Sequence, residues 1–145
     1  MYERGGMFTR LLGTEIKDMA AQYPVVTLLG PRQSGKTTLV KQCFSTHQYK
    51  NLEEPETLAF AKADPKAFFD NAKKGMIIDE IQRAPELLSY IQVIVDEQAQ
   101  KKGQFILTGS HQLSLHAAVT QSLAVRTALL TLLPLSLAEL KQSPL

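Results

Sequence analysis

Cysteine is nearly absent from this sequence: Cys43 stands alone in 145 residues, which excludes an intramolecular disulfide and a disulfide-stapled scaffold. A single thiol fits a reducing cytoplasm, the expected location. Helical spacing groups Cys43 with Leu39 and Val40, so packing is its expected role. Long apolar runs are missing as well. The longest, around Ala128 to Leu135, is broken by Thr131 and Pro134 and falls far short of the ~20 residues a membrane-spanning helix needs. The opening Met1-Tyr2-Glu3-Arg4-Gly5-Gly6 mixes charge with glycine and lacks the layout of a secretory signal. No membrane partner is expected.

A large excess of one charge is also lacking. The formal charge of +2 is short of the basic balance of a dedicated nucleic-acid binder, so bulk electrostatics point to neither a nucleic acid nor a protein partner. His47, His111 and His116 have no metal-ligand spacing with one another or with Cys43, and no zinc centre is expected. There is no internal repeat or low-complexity tract. An apolar fraction of 44% and a charged fraction of 21% sit near the globular average, so residues 1–145 read as one folded domain.

What is present is an alternation of apolar strands and amphipathic helices. Leu11, Leu12, Ile16, Met19 and Ala20 recur at helical spacing from Thr9 to Gln22. Val25-Val26-Thr27-Leu28-Leu29 reads as a strand buried on both faces, followed by a helix from Gly35 or Lys36 to Phe44. Tyr49 to Leu52 is a weaker strand. Pro55 to Lys74 carries two helices broken at Asp64-Pro65. Met76 to Glu80 is a strand, Pro85 opens a long helix reaching Gly103, Gln104 to Thr108 is a strand, and Gln112 to Leu123 a helix. Thr127 to Leu133 is a last strand, and the Ser136 to Glu139 spacing is that of a capping box. This pattern predicts an α/β fold with a mainly parallel sheet covered on both faces.

Gly30-Pro31-Arg32-Gln33-Ser34-Gly35-Lys36-Thr37 fits Gly-x-x-x-x-Gly-Lys-Thr between a strand and a helix, the setting that a phosphate-binding P-loop requires. A chance match in this length is about one in two hundred, and the strand-loop-helix setting lowers that further. A triphosphate needs several donors converging on a small volume; a glycine-containing loop supplies them from its backbone, and the helix amino terminus adds partial positive charge. Lys36 is expected to reach the β- and γ-phosphates, and the Thr37 hydroxyl to ligate Mg²⁺. The competing reading is a glycine turn with Lys36 as a solvated charge.

Met76-Ile77-Ile78-Asp79-Glu80 supplies an apolar strand ending in carboxylates, at the sheet edge where the P-loop must also lie. Asp79 is expected to hold Mg²⁺ through water, and Glu80 to polarise an attacking water, which tilts the reading from phosphoryl transfer toward hydrolysis. A solvated surface pair is the alternative. Ser110, after Leu107-Thr108-Gly109, is a candidate for bonding the water or the γ-phosphate, against a turn whose hydroxyls only cap the next helix. Arg126 is a candidate to stabilise γ-phosphate charge, across a subunit boundary if the protein is a homo-oligomer, against an exposed arginine at a helix end. Arg32 and Arg83 are expected to be surface or loop residues near the site, with Arg32 within reach of phosphate but not essential.

Leu29 to Leu39, including Thr38, together with Asn51-Leu52-Glu53, Ile78 to Pro85 and Leu107 to Ser110, resembles one group of prokaryotic AAA-like ATPases similar to archaeal-type ATPases. The resemblance covers nearly the whole chain. It implies a three-layer P-loop NTPase core with strand order 5-1-4-3-2, and ATP as the nucleotide. It also implies Walker A roles for Lys36 and Thr37, Walker B roles for Asp79 and Glu80, and a sensor at Ser110. Val125 stands where such proteins usually have glycine before the arginine, and a β-branched residue resists the positive φ that glycine permits. Relatives of this kind continue from Ser-Leu-Ala-Glu-Leu into a carboxyl-terminal domain, so the expectation is a core without it. The expected activity is Mg-dependent ATP binding with hydrolysis; the alternatives are a nucleotide-binding module with little turnover and a P-loop phosphotransferase.

Overall fold

Among the described residues, five parallel strands form a single sheet: β1 (Val25–Leu29), β2 (Gln48–Asn51), β3 (Met76–Asp79), β4 (Phe105–Gly109) and β5 (Thr127–Thr131). Their order is β2-β3-β4-β1-β5, which read from the other edge is the expected 5-1-4-3-2. The computed structural model describes residues 12–32, 34–70, 72–98 and 100–132. Leu11, the capping-box residues Ser136 to Glu139 and Leu133 therefore lie outside the described residues.

The core follows from strand pleating, which sends successive side chains to opposite faces. Val25, Leu29, Met76, Ile78, Phe105 and Leu107 line one face. It is covered by α3 (Pro55–Ala63), α4 (Pro65–Phe68), α5 (Leu87–Glu97) and α6 (Leu113–Leu123). Val26, Leu28, Ile77 and Ile106 line the other, against α1 (residues 12–20) and α2 (Lys36–Cys43). Helices on both faces make three layers. Each such fully buried side chain contributes about 1.5–3 kcal/mol by leaving water. Cys43 joins the second core from a half-buried position, and burial pushes its thiol pKa up against the opposing charge of Lys17.

Several boundaries differ from the sequence expectation. The helix expected from Pro85 to Gly103 begins at Leu87, behind a 3-10 turn at Ile81–Arg83, and ends at Glu97. It stops early because the chain must turn back into β4: Gln98 leaves helical geometry at φ −124°, and the Gly103 N–H bonds Tyr23 O at 2.8 Å. The break at Asp64-Pro65 is present, with Asp64 capping α4 through Ala67 N–H, but α4 is only a single turn. β2 ends at Asn51, although the Leu52 N–H still bonds Asp79 O at 3.0 Å, and the Leu52 side chain is buried in the first core. Among the described residues no helix is long and apolar enough to cross a membrane.

Candidate functional site

In an all-parallel sheet every strand delivers its carboxyl end to the same edge, where ligands bind. The loop after β1 lies beside the end of β4, with the Gly30 N–H bonded to Gly109 O at 3.0 Å. Gly35 turns this loop into α2 at φ 87°, ψ 6°. A Cβ there would meet nothing within 4 Å, so the demand for glycine is conformational and not steric. The first turn of α2 has no side-chain cap and no acidic residue, which leaves its amino-terminal N–H groups and partial positive charge facing the loop.

Pleating places Tyr49, Asp79 and Thr108 on the α2 side of three adjacent strands, and their side chains converge. Asp79 is buried and accepts three hydroxyl protons. Thr37 donates to Oδ2 at 2.9 Å, Tyr49 donates to the same oxygen at 2.5 Å, and Thr108 donates to Oδ1. Burial, and then the bond to Asp79, push the Tyr49 phenol pKa well above its ordinary value, so it stays a donor through neutral pH. The Lys41 ammonium lies over the Tyr49 ring, 4.2 Å from its centroid.

Glu80 adopts the left-handed conformation at φ 64°, ψ 52°, which costs a residue with a Cβ about 1–2 kcal/mol. Hydrogen bonds hold it there: its N–H donates to Thr108 Oγ1 at 3.2 Å, its carbonyl accepts from the Arg83 N–H at 3.0 Å, and its carboxylate accepts from Gln82 Nε2 at 2.6 Å. Gln82 Oε1 accepts in turn from the Ser110 N–H at 3.2 Å. Lys36, only 3% exposed, lies 3.7 Å from Glu80 Oε2 and 3.3 Å from Pro31 O. Both contacts are longer than the 2.7–2.9 Å of a charge-assisted bond. Ser34 Oγ and Ser110 Oγ are buried with no hydrogen-bond partner among the described residues. A confined ammonium at a helix amino terminus has the chemistry to attract an anion, and the Asp79 carboxylate and Thr37 hydroxyl are oxygens of the kind a hard cation takes.

Of the residues singled out in sequence, Gly30, Pro31, Ser34, Gly35, Lys36 and Thr37 form this loop with Asp79 and Glu80 beside it, and Ser110 follows β4. Gln33 lies outside the described residues. Thr38 is exposed on the first turn of α2. Arg32 points outward, 70% exposed, and pairs with Glu53 at 2.6 Å. Arg126 is not brought to the loop. It precedes β5, whose first residue pairs with Val25, so it sits at the opposite sheet edge, on the order of 13 Å away along the strands. There it grips Asp96 of α5 through Nε at 2.6 Å and a terminal nitrogen at 3.0 Å. Positive φ falls on Ala124 (35°) and not on the exposed Val125.

Tyr49, Thr108 and Gln82 escaped the sequence reading as site residues. Thr108 was expected at most to cap the next helix, yet its hydroxyl is spent on Asp79, and α6 has no side-chain cap. A polar residue at the buried end of an apolar strand was the available signal for it. Tyr49 lies two residues before Asn51, which pairs with Asp79, so it shares the face of that carboxylate only through the β2–β3 register.

A family model described as an AAA domain matches residues 22–141. Two uncharacterized proteins, Rv2008c of Mycobacterium tuberculosis and Mb2031c of Mycobacterium bovis, are each 32% identical over 121 residues, which is 83% of this chain and 27% of theirs. The chain thus spans about a quarter of the length of these curated relatives.

Proposed function

Because the chain belongs to the AAA domain family, we propose that it binds ATP with Mg²⁺ in the Gly30 to Thr37 loop and hydrolyses it by attack of water on the γ-phosphate. The observation that carries this reading is the 2.9 Å bond from Thr37 to Asp79, which joins the loop after β1 to the end of β3. Buried Lys36, with only long contacts of its own, is suited to bind the β- and γ-phosphates, and the unpartnered Ser34 hydroxyl to a further phosphate oxygen. Thr37 would ligate Mg²⁺ directly and Asp79 through water; the ion, when bound, neutralises phosphate charge. Glu80 is the general base that orients and deprotonates the water, and the free Ser110 hydroxyl is a donor to water or γ-phosphate. Arg126 acts within one chain as a structural ion pair, and a role at a neighbouring copy's γ-phosphate in a homo-oligomer would require it to leave Asp96. Coupling of hydrolysis to a further domain, as in longer proteins of this kind, belongs to the same proposal.

A second reading, nucleotide binding with little turnover, is favoured by the pairing of Lys36 with Glu80 at 3.7 Å, in which the phosphate-binding cation and the base engage each other. Mg-ATP affinity and single-turnover hydrolysis of the wild type, Lys36→Ala and Glu80→Gln separate the two. Hydrolysis by the wild type, weak binding by Lys36→Ala, and tight binding with only a small residual single-turnover rate by Glu80→Gln are expected. Wild-type binding without turnover selects the second reading, and absence of nucleotide binding sinks both.

A further inference from the structure

Glu80 presents a problem that the roles assigned so far leave open. A base must keep its carboxylate aimed while the charges around it change. Among the described residues that carboxylate has two polar side-chain contacts, Lys36 at 3.7 Å from Oε2 and Gln82 at 2.6 Å from Oε1. On the reading above, Lys36 turns to the phosphates when nucleotide arrives. Gln82 is then the contact that remains.

The geometry of Gln82 suits this task. The 3-10 turn Ile81–Arg83, entered through left-handed Glu80, folds the side chain back toward the carboxylate. The amide orientation is fixed at both ends: the backbone N–H of Ser110 can only donate, so it faces Oε1, and an ionised carboxylate can only accept, so it faces Nε2. One side chain therefore links the base at the end of β3 to the backbone at the end of β4. An independent observation lies at Gly109. A Cβ there would stand 3.0 Å from Gln82 Oε1 and 2.6 Å from Leu115 Cδ2, so the residue before Ser110 lacks a side chain where the amide packs closest.

We propose that Gln82 is a positioning residue for hydrolysis, holding the Glu80 carboxylate in its attacking orientation and tying that orientation to the β4 loop that carries Ser110. The inference rests on the reading of Glu80 as the base. Displacement of the Ser110 backbone turns the amide, and the amide turns the carboxylate, so the loop and the base respond together to what binds between them.

The test uses Gln82→Met, which keeps the side-chain length but loses both strong hydrogen-bonding groups, with Gln82→Ala as a second variant and thermal unfolding as the check on folding. The expected result is Mg-ATP affinity within about twofold of wild type and a single-turnover rate lowered by about tenfold or more, in keeping with the loss of an outer partner. In a Glu80→Gln background, Gln82→Met should add no further loss, because the two residues act as a unit. Folded Gln82 variants that turn over at the wild-type rate overturn the proposal, as does an equal additional loss in the Glu80→Gln background. If Glu80→Gln alone retains wild-type turnover, the base assignment falls and this inference with it, an outcome distinct from failure at Gln82 alone.

Discussion

Tyr49 and Thr37 share one acceptor: both donate to Asp79 Oδ2, at 2.5 and 2.9 Å. Thr37 comes from the loop that follows β1 and Tyr49 from edge strand β2, so a carboxylate suited to a metal is pinned by two remote parts of the chain. Because Thr37 can give its proton to Asp79 while its lone pairs face a cation, Tyr49 is free to fix the carboxylate itself.

Tyr49→Phe removes that second donor and little else. It should lower stability by about 1 kcal/mol, the net worth of one hydrogen bond, and raise the Mg²⁺ concentration needed for half-maximal hydrolysis by about tenfold. Denaturant unfolding and Mg²⁺ titration at saturating ATP measure the two effects. An unchanged Mg²⁺ requirement would leave Tyr49 a packing residue.

Lys36→Met retains apolar bulk in a position that is 3% exposed and deletes the ammonium. For the wild type, ATP at about a hundred times its Kd should raise stability by about 2.7 kcal/mol; the variant should show almost none of that gain in a thermal-shift series with Mg-ATP. A full nucleotide-dependent shift in Lys36→Met would contradict the loop assignment.

Gly109→Ala places a methyl group against Leu115 and Gln82 Oε1. Overpacking of this kind costs about 1–3 kcal/mol, and it should also push the amide from the Glu80 carboxylate. Turnover should therefore fall more than Mg-ATP affinity, as for Gln82→Met. Equal losses in both would point to general damage to the fold.

Arg126 holds the Asp96 carboxyl below its ordinary pKa, first by hydrogen bonding and also by charge. A folded value lower than the unfolded one means that the contribution is fully present above the unfolded value, about 3.9, and is lost as pH falls through the folded one. Asp96→Asn should melt slightly below wild type at pH 7, and the difference should shrink as the pH is taken into the acid range. A difference that persists at low pH would show that packing and not charge is involved.

Much of the fold was legible because its signals are local. Eight contiguous residues define the phosphate loop, and Val25 to Leu29 and Met76 to Asp79 declare buried strands by apolar content alone. Tyr49 and Gln82 carry no such signal. Tyr49 matters only because β2 lies next to β3, and β2 is a half-buried edge strand, Gln48 to Asn51, with little apolar pattern. Gln82 matters because Glu80 takes a backbone conformation that its residue type disfavours. The end of α5 was misjudged for a related reason: apolar periodicity sets which face is buried, whereas the return path to β4 decides where the helix must stop.

The register of β3 against β4 pairs Met76 with Phe105, Ile77 with Ile106 and Ile78 with Leu107. The same alignment sets Asp79 beside Thr108. Slipping β3 by one residue would turn Asp79 into the apolar layer beneath α5 and lift Met76 and Ile78 out of it. Such a slip puts a carboxylate into an apolar layer, so the packing that forms the core disfavours it, and the pairing that seats Ile78 beside Leu107 also seats Asp79 at the sheet edge.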